Sequence, residues 1–450
     1  MNNNYETIVG LEIHVELSTK GKMFCRCGVP NLTDKPNTKT CPVCLGLPGA
    51  LPFTNKEAVD ACVKIALALG CTINENSFFE RKNYFYPDLA KGFQTSQFLH
   101  PFGEKGSLEI EVDGKKKTIG ITRVHMEEDT GKLIHEEVDG KQVSLIDFNR
   151  SSVPLVEIVT EPDIRSGEEA KEFLTKLQRI IRYLGVSDAD MEKGQMRLEP
   201  NISLRELKTR NLKLKTELPP YKVEVKNINS FRFVDKAIKF EQQRHAELLK
   251  KGETPVQETR GWNEFKNITV SQRSKEEAHD YRYFPEPDIP PISFTQDEIS
   301  NIKNQIPELP DAKARRFVSE FGLTEYNAEI LTRDKSLADF FSEAVEAGKE
   351  HNLEPQKIAS FIINKNPNIE DTMPAALIRK IMDGDVIEVV DEKRLSEFIE
   401  EALRENTKAV EDYNSGKENA LMFLLGVVMR KYGKRLEVET VKSAILKALK

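Results

Sequence analysis

The stretch Val9-Gly10-Leu11-Glu12-Ile13-His14-Val15-Glu16-Leu17 alternates apolar and polar residues strictly from Leu11 onward. A period of two is the pattern of a β-strand with two unlike faces. Leu11, Ile13, Val15 and Leu17 would line a core, while Glu12, His14 and Glu16 would stand about 7 Å apart along the other face. A carboxylate beside an imidazole on one rigid face can bind a divalent cation or move a proton. A half-solvated strand with ordinary polar residues shows the same alternation, so other stretches must decide. Ile121-Thr122-Arg123-Val124-His125-Met126-Glu127-Glu128-Asp129 ends a strand-like run in a histidine and three acids. Val153-Pro154-Leu155-Val156-Glu157-Ile158-Val159 carries a single carboxylate in an apolar run. Such a group is costly to bury unless it is paired or ligates a cation. The three stretches together predict one acidic, metal-binding cleft.

The chain has 450 residues, of which 39% are hydrophobic and 31% charged, the make-up of a globular protein with two or three domains. Its longest strongly apolar run, Ala420 to Met429, is too short to span a bilayer. The first residues have neither the basic end nor the apolar segment of a signal peptide. The expected setting is cytoplasmic, without a membrane. A net charge of −7 excludes a globally basic nucleic-acid binder, so any such contact must be local. Four of the six cysteines fall as Cys25-x-Cys27 and Cys41-x-x-Cys44. Two close thiol pairs across a loop match a tetrahedral zinc site, although two incidental pairs would read the same way. Disulfides compete poorly in a reducing compartment. Cys62 and Cys71 belong with an apolar helical run and are read as small core residues.

Further along, Asn55 to Leu69 reads as a helix, capped by Thr54 or Asn55 and stopped by Gly70. Arg81 to Asp88, with Lys82 and Tyr84, crowds cations and aromatics into a binding loop or an exposed aromatic turn. Val112-Asp113-Gly114-Lys115 is a hairpin signal. Ser166-Gly167-Glu168-Glu169 is a capping box opening an amphipathic helix that ends at Gly185. Met196–Ser203 and Val223–Asn227 alternate again and would bring Glu199, Asn201, Ser203, Glu224 and Lys226 to one surface. Between them Arg205–Lys215 carries five cations against one acid, in an expected exposed hairpin. Prolines 285, 287, 290 and 291 mark a boundary. Beyond it, helical periodicity at Asp311–Phe321, Lys335–His351, Pro355–Ile363, Glu392–Glu405 and Val441–Leu449 predicts an all-α remainder. The fold class is therefore α+β followed by all-α domains.

No Gly-Lys pair is followed by Ser or Thr, so a P-loop is absent, and so is a Ser/Gly-rich amidase segment. Strand carboxylates, two histidines and nearby Lys and Arg suit Mg²⁺-assisted phosphoryl transfer, in which acids hold the metal and cations neutralise phosphate oxygens. The runs Val9–Leu17, Cys41–Gly49, Arg81–Asp88, His125–Lys132, Glu224–Phe233, Arg273–Pro285 and Gly416–Arg430, in this order, resemble the B-subunit family of the tRNA-dependent amidotransferases.

That resemblance implies a glutamine-synthetase-like α+β catalytic domain over 1–292, with a zinc loop near 25–44. A helical domain over 293–370 and a helical tRNA-binding tail over 371–450 would follow. It implies a ligase that phosphorylates the side-chain carboxylate of Glu-tRNA(Gln) or Asp-tRNA(Asn) with ATP and then displaces the phosphate with ammonia. The ammonia would come through a channel from a partner amidase subunit, and a small third subunit would complete the complex. Matched by motif, Glu12, His14, Glu127 and Glu157 would form the catalytic Mg²⁺ cluster. Lys82 and Tyr84 would lie near the substrate or channel mouth, with Glu199, Asn201, Glu224 and Lys226 on the same cradle. Glu199-Pro200-Asn201 stands where the family usually has Asp-Ala-Asn, so the Glu199 carboxylate would have to approach differently. Cys25, Cys27, Cys41 and Cys44 would hold a structural Zn²⁺. From Arg430 to the end there are seven Lys or Arg against two Glu. There Arg430, Lys431, Lys434 and Arg435 would contact the tRNA backbone. Two other classes are compatible with parts of this pattern: a non-catalytic tRNA-binding subunit, and a stand-alone ligase acting on a small acid.

Overall fold

The computed structural model describes residues 4–31, 33–207, 217–274, 281–383, 392–417, 419–432 and 438–449. The alternating stretch near the N-terminus forms strand β1 (Tyr5–Glu16), with Val9, Leu11, Ile13 and Val15 buried on one side. Eight more strands join it: β2 (Thr72–Ile73), β3 (Gly103–Val112), β4 (Lys115–Glu128), β5 (Pro154–Thr160), β6 (Met196–Glu206), β7 (Val223–Lys226), β8 (Glu258–Asn263) and β9 (Ile268–Ser274). Among the described residues they make one sheet in the order β9-β8-β7-β6-β1-β5-β4-β3-β2. Every neighbour runs antiparallel except β7 and β8. β1 is thus central, paired with β5 on one side and β6 on the other.

One face of this sheet is covered by helices α1 (Lys56–Ala68), α2 (Gly167–Leu184) and α3 (Phe231–Lys250). Val63, Phe173, Leu177, Val234 and Ile238 from these helices join Leu11, Ile13, Val156, Ile158 and Leu198 from the strands in a single core. Removing this much apolar surface from water is the main drive to form the layer. Local signals agree with it. Asn55 accepts the Glu57 N–H as the α1 cap, and Gly70 follows the helix at φ +70°. Ser166 caps α2 through the Glu169 N–H, and Gly185 ends it in the left-handed region. The expected reciprocal half of that capping box is displaced: the Glu169 carboxylate accepts the Arg165 N–H and pairs with Lys117 instead. The turn joining β3 to β4 has Asp113 and Gly114 both at positive φ, as the Asp-Gly signal requires.

A small three-stranded sheet (Glu80–Asn83, Phe93–Ser96, Phe284–Pro285) carries Lys82. Arg81 clamps it: Nε and Nη2 each donate to the Glu286 carboxylate at 2.7 Å, and the guanidinium lies 4.2 Å from the Phe93 ring centre. A separate hairpin, Lys132–Val138 with Lys141–Asp147, is joined to the cysteine loop through Asn37, whose N–H donates to Asp147 and whose amide donates to Ile146. Most of the basic stretch expected as a hairpin at Arg205–Lys215 lies outside the described residues.

The first compact unit runs to Pro310, past the expected edge at 292, because Phe294 and Ile302 still belong to the sheet core. The second unit, Asp311–Lys450, is helical among its described residues and has two cores. One spans Phe317 to Ile381, and the other spans Leu395 to Ile445. Helix Pro374–Asp383 gives Leu377, Ile378 and Ile381 to the first of these, so that core continues beyond residue 370.

Behind the sheet, Glu241 on α3 is fully buried and is held by His245 (2.9 Å), Arg244 (2.7 Å), Arg260 (3.3 Å) and the Thr269 hydroxyl. Burial alone would raise its pKa, but the hydrogen bonds from His245, Arg244 and Thr269 reverse that and bring it from 4.5 down to about 2. A depressed carboxylate pKa stabilises the fold fully above the unfolded value and loses that contribution as pH falls through the folded one. Glu241→Gln should therefore cost about 3–5 kcal/mol near neutral pH by leaving buried cations unpaired. It should also flatten the loss of stability between pH 4.5 and about 2, which denaturant titrations across that window would measure.

Candidate active site

On the open face of the sheet, register decides which side chains meet. His14 is opposite Glu157 on β5 and Arg197 on β6, and Glu157 is in turn opposite His125 on β4. Directly opposed residues on paired strands point to the same face. The His14 Nε2 lies 3.2 Å from Glu127 and 3.6 Å from Glu157, and the His125 Nε2 lies 3.1 Å from the same Glu157 oxygen. Lys82 reaches in from the small sheet, with Nζ 3.8 Å from the other Glu127 oxygen and 5.3 Å from the Tyr281 ring centre. Tyr84, two residues on, donates to Gln94 at 3.1 Å.

These groups form a balanced set of buried charges. Burial works against ionisation of Glu127 and Glu157, yet Lys82 and His14 hold Glu127 well below the usual carboxylate range, and His125 and His14 do so for Glu157. Burial likewise opposes charge on His14 and Lys82, but the surrounding carboxylates raise both pKa values. Two ionised carboxylates and an imidazole nitrogen with ligand atoms within 4.8 Å of one another are a donor set that one divalent cation fits. The cation would compete with the His14 proton for the same oxygens.

Glu12 was expected in that cluster, and the structure gives it other company. It is opposite Glu199 on β6, and its carboxylate accepts from the Asn201 amide at 2.9 Å. Glu12, Glu199 and Glu224 form a second group of carboxylates with ligand atoms within 4.8 Å of one another. Lys226 sits between two of them, 3.0 Å from Glu199 and 3.2 Å from Glu224. The Thr259 hydroxyl on β8 donates to Glu224 at 2.8 Å. Burial and the neighbouring Glu224 carboxylate push Glu199 up to about 7 despite Lys226, while hydrogen bonds and the Lys226 charge outweigh burial to hold Glu224 down at about 2.

Residues 7–300 match the GatB/GatE catalytic domain family, and residues 355–449 match the GatB domain family. The B subunit of the aspartyl/glutamyl-tRNA(Asn/Gln) amidotransferase of Thermotoga maritima is 44% identical, over 99% of both chains. The protein of that name from Carboxydothermus hydrogenoformans is 43% identical over 98% of both, and that from Thermoanaerobacter pseudethanolicus 45% over 95% of both. This chain belongs to the B-subunit family of these amidotransferases.

The four expected cysteines of this family member do converge. Cys25, Cys27, Cys41 and Cys44 have sulfurs within 4.8 Å of one another, and Cys41 and Cys44 are 3.8 Å apart. Four thiolates around a tetrahedral ion at about 2.3 Å would stand close to that separation, so the site fits one metal ion. The Cys41 N–H and the buried Lys22 ammonium both point at Cys44 Sγ, at 3.1 and 3.7 Å. The Cys25 thiol, together with that N–H and that cation, draws the Cys44 pKa down to about 5. Cys62 and Cys71 are buried in the core, as read from sequence.

The basic tail cluster is only partly visible. Arg430 lies on helix Asn419–Tyr432, while Lys431 on the same helix is paired with Glu401 at 3.2 Å and Glu405 at 2.7 Å. Lys434 and Arg435 lie outside the described residues. No described helix is long and apolar enough to cross a membrane.

Two residues, Thr259 on Glu224 and Arg197 on Asp129, were not singled out in the sequence, and His125 and Asp129 stood in the acidic run without a partner assigned. The place of His125 one strand across from Glu157 emerges only with register. Thr259 sits in a strand that has no polar–apolar alternation to announce it. The raised Glu199 pKa can be measured directly. An infrared pH titration should show one carboxyl group losing its proton near pH 7, and Glu199→Gln should abolish that step while the protein stays folded.

Proposed function

We propose that this chain is the activating subunit of a glutamine-dependent tRNA amidotransferase. It phosphorylates the side-chain carboxylate of Glu-tRNA(Gln), Asp-tRNA(Asn) or both, and amidates it with ammonia from a partner amidase subunit. What carries this reading is that two carboxylate clusters, each with its own lysine, stand side by side on one rigid sheet face in a chain of this family. A carboxylate is a poor electrophile, so ATP must first convert it into an acyl phosphate whose leaving group ammonia can displace. Mg²⁺, when bound, would screen the phosphate charge and orient the transferring group.

His14, Glu127 and Glu157 are the residues that would hold one such ion, and Glu12, Glu199 and Glu224 would hold a second. Lys82 lies beside Glu127, where a developing negative charge at the acyl group would be neutralised, with Tyr84 within electrostatic reach of it. Lys226 offers its charge to the second cluster in the same way, and Asn201 fixes the Glu12 carboxylate. We assign Zn²⁺ to the four cysteines in a structural role, since all four positions are filled by protein sulfur. We assign tRNA backbone contacts to the tail around Arg430. Lys431, already engaged by two glutamates, contributes less charge there than the sequence suggests. The complex would contain a small third subunit and work in the cytoplasm, where these thiols stay reduced.

Glu127→Gln should lose Glu-tRNA-dependent ADP formation in the assembled complex by about a hundredfold or more, with far-ultraviolet dichroism unchanged and tRNA binding nearly intact. Wild-type rates from this variant at limiting Mg²⁺ would remove Glu127 from the ion site. Metal analysis should find about one zinc per chain, and its removal should expose thiols and loosen the loop near 25–44 before the sheet unfolds. Zinc-free protein with four freely reactive thiols would refute the assignment.

A further inference from the structure

Arg197 lies on the open sheet face directly opposite His14 on β1. Its Nη2 donates to Asp129 at 2.6 Å. Asp129 is 5% exposed and its backbone is fixed on both sides, its N–H donating to Val153 and its C=O accepting from Ser152. Among the described residues Nη2 is the only nitrogen of this guanidinium with a hydrogen bond, and 37% of the side chain is exposed. A guanidinium carries five N–H donors in a fixed fork, so Arg197 keeps a charged, directed donor edge for a ligand.

Two other cations near this face are more fully committed, and a third is more enclosed. Lys226 is held by two carboxylates at 3.0 and 3.2 Å. Lys82 is less exposed, at 21%, and faces Glu127. Arg150 spends Nε on the Thr130 carbonyl and Nη2 on the Gly131 carbonyl, and it braces Asp129 from behind at 3.5 Å. Glu127 has Lys82 beside it at 3.8 Å, and Arg197 lies within electrostatic reach of both Glu127 and Glu16. A face with this many carboxylates repels ATP unless a directed cation meets the phosphate.

Resting on the carboxylate-activation reading above, we propose that Arg197 is a catalytic residue that binds the transferring phosphoryl group, with Asp129 as the positioning residue that aims it. In the first step a side-chain carboxylate oxygen attacks the γ-phosphorus of ATP. The bond from that phosphorus to the β,γ-bridging oxygen breaks, and ADP leaves with the electron pair. In the second step ammonia adds to the acyl carbon, the carbon–oxygen bond to phosphate breaks, and inorganic phosphate leaves while nitrogen gives up one proton. The free edge of Arg197 contacts the non-bridging phosphoryl oxygens in both steps. Planar, two-pronged donation to phosphate oxygens is the geometry that arginine provides and lysine does not.

The test uses the assembled complex with Glu-tRNA(Gln), ATP and Mg²⁺, and follows ADP formation. Arg197→Gln should lower kcat by about a hundredfold or more while the KM for Glu-tRNA changes by no more than about threefold. Arg197→Lys should recover only a small part of the rate, and free guanidinium should partly restore Arg197→Ala. Asp129→Asn should show a smaller kcat loss than Arg197→Gln, since Arg150 and the backbone still frame the site. A wild-type complex that forms no ADP in response to Glu-tRNA overturns the activation reading itself. An active wild type with an unchanged Arg197→Gln kcat overturns the role of Arg197 alone. So does a rate loss in Arg197→Ala that guanidinium leaves untouched while the melting midpoint falls, which would make the residue an anchor for Asp129.

Discussion

The antiparallel pairing of β1 between β5 and β6 is the constraint on which the rest depends. Because strand side chains alternate with a period of two, a slip of one residue would send Glu12, His14 and Glu16 into the helical layer and Leu11, Ile13 and Val15 into solvent. The apolar half of β1 is buried against α1, α2 and α3, so the register is held by core packing while its consequence is the site. Stability and function are in this sense written on alternate residues of one strand. The two clusters follow from successive positions on its open face: Glu12 looks toward β6 and β7, and His14 toward β5 and β4.

Charge balance is the second constraint. The open face gathers at least seven carboxylates, at Glu12, Glu16, Glu127, Asp129, Glu157, Glu199 and Glu224, and several of them are buried. Each buried one is met by a cation, Lys82 and His14 at Glu127, His125 at Glu157, and Arg197 and Arg150 at Asp129, and the half-buried Glu224 is met by Lys226 and Thr259. Where pairing falls short, at Glu199, burial and the neighbouring Glu224 carboxylate push the pKa up to about 7 instead. Replacing any one member leaves a partner unpaired in a partly dry site, so single substitutions here should be read through pairs and not residue by residue.

Much of the catalytic unit was legible in sequence because its signals are local. The alternation in β1 and β6, the Asp-Gly turn and the caps at Asn55 and Ser166 all act within a few residues. The short helices were less legible. Gln296–Asn304, Glu325–Leu331, Pro374–Asp383 and Thr407–Asn414 are helices of ten residues or fewer, too short for periodicity to stand out. The site was legible as a set of residues and not as a partition. Strand alternation puts Glu12 and His14 on one face, but which neighbour each meets depends on pairings between residues more than a hundred positions apart. For the same reason Arg197, though inside a strand read correctly, gave no hint that it stands opposite His14.

Pro200 shows how a departure from local rules is absorbed. Proline cannot donate to a ladder, so an inner strand should reject it. The pairing of β6 with β7 is regular at Asn201–Glu224 and Ile202–Val223, then lapses, and resumes as a single bridge at Leu198–Ile228. Between those points the chain after β7 gains one residue, and Asn227 takes the left-handed conformation at φ +63°. The missing N–H of Pro200 thus faces a bulge and not a continuous ladder. On the β1 side Pro200 stays in register opposite Leu11, so Glu199 and Asn201 keep their places on the open face. Lys226, the last residue of β7, closes on Glu199 at 3.0 Å. Pro200 is thus accommodated where the ladder lapses, and the Glu199 carboxylate beside it meets the Lys226 ammonium and stands with Glu12 and Glu224 in the second cluster.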